Sequence, residues 1–195
     1  MNIRVWLLGL ILLLAPACTV DPVTRAHEAT VHLVINGDSS CSGTIVGPSA
    51  VLTASHCLDW PYTVSIYGQP VRVLRAVLDG NDHTILLVDR RFASWAPIAE
   101  APRPGSRVFM FGNPGKLTDQ FRNGYVSGLA AVDGGLVTTY NMSIFFGDSG
   151  SGIFDASGAL IGVVSTVYSM TNGAQLTFAC SWPLAFTPEQ LREVM

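Results

Sequence analysis

Cys41-Ser42-Gly43-Thr44-Ile45-Val46-Gly47-Pro48-Ser49-Ala50-Val51-Leu52-Thr53-Ala54-Ser55-His56-Cys57 is the stretch that decides how this chain folds. Its apolar and β-branched residues fall into two short runs, and Gly47-Pro48-Ser49 between them has the composition of a turn. Two strands joined in that way return the chain upon itself. Cys41 and Cys57 then finish side by side and are predicted to form a disulfide that braces the loop carrying His56. A metal site at His56 and Cys57 is not expected, because adjacent residues do not easily share one ion and no second Cys/His pair lies nearby.

The same grammar continues along the chain: short β-branched runs, punctuated by Gly, Pro, Asn and Asp, with little helical periodicity. Strands are expected at 29–36, 42–46, 50–54, 62–67, 71–79 and 84–88, making a first six-stranded barrel. A linker over 89–105 contains Pro97, Pro102 and Pro104. Strands at 107–111, 120–129, 135–140, 152–155, 160–166 and 175–181 make a second barrel. The one strong helix signal is C-terminal: Thr187 as N-cap, Pro188 at the first helical position and Gln190 completing a capping box.

Residues 1–17 read as a signal peptide, with Arg4 ahead of an apolar run and Ala15-Pro16-Ala17 before Cys18. The run is too short to span a bilayer stably. Cys18 directly after the cleavage point resembles a bacterial lipobox, in which that cysteine is lipidated; secretion without lipid is the other reading. Either way the expected compartment is the oxidising cell exterior, periplasm or envelope. Cys180 is then a free buried thiol if Cys18 is lipidated, or its disulfide partner if not. The formal net charge is −3, with Lys116 the single lysine, so neither nucleic acid nor an anionic membrane surface is an expected partner. Any membrane contact runs through a lipid at Cys18.

Three chemically loaded residues occur in a telling order. His56 ends the hairpin, Asp82 precedes the apolar run Thr84-Ile85-Leu86-Leu87-Val88, and Ser149 sits in Gly147-Asp148-Ser149-Gly150. A serine hydroxyl becomes a nucleophile when an imidazole takes its proton, and the imidazole does so when a carboxylate fixes its tautomer and offsets its developing charge. Asp79 and Asp89 read more simply as turn residues at strand ends. His27, His32 and His83 lack such context and are expected at the surface or at strand edges.

With these residues in hand, 29–195 resembles a trypsin-like serine protease of the chymotrypsin fold. Pro97-Ile98-Ala99, Pro104-Gly105-Ser106-Arg107-Val108, Phe111-Gly112-Asn113-Pro114 and Gly124-Tyr125-Val126-Ser127-Gly128-Leu129 are similar, in order and spacing, to bacterial high-temperature-requirement proteases. The resemblance implies an all-β fold of two six-stranded antiparallel Greek-key barrels, about 29–88 and 106–195, with 18–28 an N-terminal tether; because the chain ends at Met195, the peptide-binding PDZ domain of those proteases is not expected. It implies an endopeptidase acting on proteins or peptides without cofactor or metal, with His56 as general base, Asp82 as orienting acid and Ser149 as nucleophile. The amides of Gly147 and Ser149 would form the oxyanion hole. Ser143 would lie at the base of the specificity pocket, with Ser165 and Val167 on the strand that pairs with substrate. No charge at that base, and the bulk of Val167, imply cleavage after small or medium apolar residues.

In trypsins the acid corresponding to Asp148 pairs with an N-terminus freed by zymogen cleavage. No Ile-Val-Gly-Gly precedes Cys41 here, so Asp148 is expected to find an internal partner, with Arg122 the candidate. A catalytically inactive binding module on the same fold is the alternative, although such relatives typically lose a triad residue and none is missing. A lipase-type fold is disfavoured because a nucleophile elbow needs Gly where this chain has Ser151, and a serine-first order.

Overall fold

The computed structural model describes residues 20–59, 61–115, 117–132, 134–170 and 176–194. The expected signal peptide and Cys18 lie outside the described residues. The first lobe comprises β1 (Thr30–Ile35), β2 (Ser39–Gly47), β3 (Ala50–Ala54), β4 (Val64–Ile66), β5 (Gln69–Val71), β6 (Val73–Leu78) and β7 (His83–Val88). They form one antiparallel sheet in the order β5-β4-β1-β2-β3-β7-β6. The second lobe holds β8 (Arg107–Gly112), β9 (Gln120–Val132), β10 (Gly135–Tyr140), β11 (Gly152–Asp155), β12 (Leu160–Val163), β13 (Thr166–Met170) and β14 (Leu176–Ser181). Its order is β12-β11-β8-β9-β10-β14-β13.

Each sheet thus has seven strands rather than the expected six, because one expected strand in each half is interrupted. In the run 71–79 the break falls at Arg72, whose N–H donates to Asp89 Oδ1 and whose carbonyl accepts from Asp89 N. In the run 160–166 it falls at Val164 and Ser165. Val164 N–H donates to the Ser151 carbonyl, and its own carbonyl accepts from Gly150 N. Backbone groups that would have extended a ladder instead hold the loop around Ser149.

β2 and β3 are the expected hairpin, paired Thr44 to Leu52 and Ile45 to Val51, and Cys41 and Cys57 are disulfide-bonded. Every residue of β3 is buried, and a Cβ on Gly43 would stand 2.8 Å from Val51 Cγ1. β3 pairs with β7 in a register that ends with Ala54 opposite His83. The two residues just beyond that end, His56 and Asp82, are therefore brought together.

The stretch expected as a tether contains a helix, α1 (Pro22–Ala29), with Asp21 accepting from Thr24 N at 3.0 Å as its N-cap and Pro22 in its first turn. Ala26 and Ala29 are fully buried. A Cβ on Gly158, in the β11–β12 turn, would meet Pro22 O at 2.7 Å, so α1 packs against both lobes. The C-terminal helix α2 (Pro188–Val194) has the expected capping box: Thr187 N donates to Gln190 Oε1 and Gln190 N to Thr187 Oγ1. It is tied to the first lobe through Gln190 Nε2 to the Leu78 carbonyl and through Arg75 with Glu193. One apolar cluster runs from Leu33, Leu52 and Ile85 into Phe109, Phe154 and Leu160, so the lobes share a core.

Candidate active site

His56 Nδ1 lies 2.7 Å from Asp82 Oδ2, and Asp82 Oδ1 accepts the His56 backbone N–H at 3.0 Å. Ser55 N donates to the Asp82 carbonyl, so side chain and main chain of the acid both grip the histidine turn. The hydrogen bond that His56 Nδ1 donates to Asp82 raises the His56 pKa above the ordinary imidazole value of 6.5; burial opposes this, and the charges of Asp82 and Asp59 add to it. A carboxylate on Nδ1 leaves Nε2 as the basic nitrogen.

Ser149 comes from the other lobe. It shares a cleft of about 300 Å³ with His56, Ile144, Phe145, Phe146, Val164, Ser165, Thr166 and Val167. Among the described residues the Ser149 hydroxyl makes no hydrogen bond to the imidazole, a contact that commonly closes only with substrate present. The Gly147 and Ser149 amides donate to no described acceptor. Gly147 has φ +100°, and a Cβ there would stand 2.3 Å from the Asn113 carbonyl. Only glycine fits that bend.

Asp148 is fully buried and takes a bidentate ion pair from Arg122, Nη1 to Oδ2 at 2.6 Å and Nη2 to Oδ1 at 2.5 Å. Phe145 N donates to the same carboxylate. A Cβ on Gly112 would come within 2.3 Å of Asp148 Oδ1, so the pair occupies the space a side chain would need.

Ser143 is not among the residues that line the cleft. It is exposed, its carbonyl accepts from Arg122 Nη1 at 3.1 Å, and Ile144 lines the cleft beside it. Ser165 and Val167 do line the cleft.

His83 departs from its expected position: it is fully buried rather than at the surface, with Nδ1 2.7 Å from Asp79 Oδ2 and Nε2 3.3 Å from Ser165 Oγ. Asp79 is therefore more than a turn residue. Burial works to raise its pKa, but hydrogen bonds from His83, Ala185 and Asn81 outweigh burial and hold the carboxyl below its usual 3.8. A polar residue following Asp82 in an apolar strand was the available signal for this pair. Cys180 is a buried free thiol.

An all-β chain of two sheets, with His56 and Asp82 on one and Ser149 on the other, has the architecture of the chymotrypsin-like serine peptidases. Among solved structures it is similar to an inactive form of Rv3671c from M. tuberculosis H37Rv (TM-score 0.67, 19% identity, 89% of each chain covered). The active form of Rv3671c gives a TM-score of 0.68 at 19% identity, over 89% of this chain and 83% of that one. The HtrA-type protease AlgW with a tripeptide gives 0.67 at 23% identity, over 90% of this chain and 61% of that one. No curated protein matches the sequence. Residues 41–163 match the trypsin-like peptidase domain, and the chain belongs to that family.

Proposed function

We propose that this chain is an exported serine endopeptidase that hydrolyses peptide bonds through a covalent acyl-enzyme. Ser149 Oγ attacks the substrate carbonyl while His56 Nε2 takes its proton. The carbonyl electron pair moves onto oxygen and is met by the Gly147 and Ser149 amides. Collapse expels the amine, which receives the proton from His56, and water repeats the sequence to release the acid. Asp82 holds the imidazole and offsets its charge without taking the proton.

The observation that carries this reading is the meeting of Ser149 and His56 on one cleft, with Asp82 bonded to the far side of the imidazole and the Gly147 and Ser149 amides unengaged among the described residues. The cleft walls are mostly apolar, from Ile144, Phe145, Phe146, Val164 and Val167, and among the described residues contain no carboxylate. We therefore assign cleavage after small or medium apolar residues. Export, with or without a lipid on Cys18, is supported by the leader sequence and by a disulfide that calls for an oxidising compartment.

Labelling with a fluorophosphonate, with the modified residue located by mass spectrometry, tests the core of the proposal. Modification at Ser149 that disappears in Ser149→Ala and His56→Ala is the expected result. A folded wild-type protein that takes no label would overturn it in favour of a binding module.

A further inference from the structure

In a trans peptide the carbonyl and the N–H of one unit point in opposite directions, so whatever holds a carbonyl aims the amide attached to it. The Phe146 carbonyl accepts from Gly115 N at 2.7 Å, which turns the Gly147 N–H the other way, away from Gly115. The Asp148 carbonyl accepts from Ser151 N at 2.8 Å, which does the same for the Ser149 N–H.

The two remaining carbonyls of the loop converge on one residue of the opposite lobe. Ser42 Oγ donates to the Gly147 carbonyl at 2.8 Å, and Ser42 N donates to the Ser149 carbonyl at 2.8 Å. The Ser42 hydroxyl has its direction fixed from behind, because it accepts from Asn113 Nδ2 at 2.9 Å and so commits its single proton to Gly147. The Asn113 amide is itself oriented, since its Oδ1 accepts from Asp119 N. Ser42 and Asn113 are both fully buried, and Thr53 Oγ1 caps the Ser42 carbonyl. Both side chains are closed off from solvent, and the chain Asn113 to Ser42 to Gly147 has one self-consistent direction.

We infer that Ser42 is a positioning residue for catalysis: its hydroxyl, oriented by Asn113, holds the Gly147–Asp148 peptide unit, which joins the two units that carry the oxyanion-binding amides, and its own N–H holds the Ser149 carbonyl, so that both amides keep their places. The inference rests on the peptidase reading above. Gly147 is the joint that needs such a brace, because glycine visits alternative backbone conformations readily. Without the Ser42 proton its carbonyl is buried and unpaired, a cost that turning the peptide would relieve.

The test compares wild type, Ser42→Ala and Asn113→Ala by the rate of fluorophosphonate labelling at Ser149 across pH. It adds protection by a peptidyl aldehyde ending in valinal and by the matching peptidyl alcohol. The aldehyde captures the oxyanion site: Ser149 Oγ bonds to its carbonyl carbon, the C=O pair moves to oxygen, and the serine proton passes to His56. The alcohol occupies the same cleft without forming an oxyanion.

Expected for Ser42→Ala is a ~10- to 100-fold slower labelling rate, below the ~100- to 1,000-fold of deleting an oxyanion donor outright. Aldehyde affinity falls by a similar factor, alcohol affinity is unchanged, and the His56 pH limb stays in place. Asn113→Ala, which leaves the hydroxyl present but undirected, shows a smaller fall of the same kind and decides the matter if Ser42→Ala does not fold. Wild-type rates in the folded variants, or equal losses for aldehyde and alcohol with a displaced pH limb, overturn the inference while leaving the peptidase reading intact. An unlabelled wild type removes both.

Discussion

Arg122 closes a two-point ion pair on the fully buried carboxylate of Asp148, the residue directly before Ser149. The position that in trypsins waits for a new N-terminus is here satisfied from within the second lobe. A guanidinium, unlike an α-amine, keeps its charge throughout the pH range of peptide hydrolysis. Activity is therefore expected from the mature chain without internal cleavage, and no loss of kcat/KM should accompany α-amine deprotonation at about pH 7.7–8.0. A pH–rate profile that declines there, or activity that appears only after trimming toward Cys41, would contradict this. Arg122→Met leaves a buried charge unpaired and should cost about 3–5 kcal/mol in denaturant unfolding.

The base at His56 works when neutral, and its pKa lies above 6.5 because Asp82 hydrogen-bonds the protonated ring. Activity should accordingly rise with pH through a limb placed above 6.5. The same shift means that the His56–Asp82 contact stabilises the fold most below the unfolded-state pKa, and that this contribution is lost as pH rises through the folded value. Asp82→Asn should lower the limb and reduce kcat by about 10⁴-fold, since the wrong ring tautomer is then favoured. A limb that stays in place in Asp82→Asn would show that another group sets it.

Reduction of the Cys41–Cys57 bridge, which joins residues 16 apart, should lower stability by about 3 kcal/mol. The measurement is a thermal melt with and without reductant, and an unchanged Tm would refute the expectation. Activity should fall with the melt, because the bridge closes on the residue next to His56.

Asp79 has a depressed pKa, so its stabilising contribution is present above the unfolded value and lost as pH falls through the folded one. Asp79→Asn should make stability less pH-dependent below about pH 4, the carboxyl's ordinary range. His83→Leu should cost about 1–3 kcal/mol by leaving a buried carboxylate short of a partner. It should also loosen Ser165 on the cleft wall, which His83 Nε2 contacts. Acid-unfolding curves of the two variants that superimpose on wild type would sink this account.

Val167 narrows the cleft from an edge strand of the second sheet. Val167→Gly should widen the peptide-library profile toward larger apolar residues at the cleaved bond, with little change in rate on small ones. A wild-type profile dominated by Arg or Lys would refute the assignment of the cleft itself.

The meeting of His56 with Asp82, and of Ser149 with His56 on one cleft, was legible because each sits in a short motif whose neighbours are dictated by local chemistry: the disulfide hairpin, the apolar strand after the acid, the glycines around the serine. Arg122 was legible by charge accounting, since Asp148 needs a cation once no new N-terminus is available. For Ser143, counting back from Ser149 does not reveal that its carbonyl accepts from Arg122 and that Ile144 lines the cleft beside it. His83 escaped because a histidine at a strand start looks exposed unless its partners, Asp79 and Ser165, are known, and Ser165 is 82 residues away. The split strands are tertiary effects: Arg72 and Val164 give their backbone groups to distant loops rather than to a ladder. The helix α1 is different, for Asp21-Pro22 was a start signal in plain view.

The bond from Ser42 to Gly147 spans 105 residues, whereas the hairpin that presents His56 closes over 16. Contacts of such long range form late, after the entropy of closing the intervening chain has been overcome. A nascent or partly folded molecule can thus assemble its base and acid while its nucleophile loop is still unsupported. On the proposed peptidase reading, hydrolytic competence would then report that the two halves of the chain have docked.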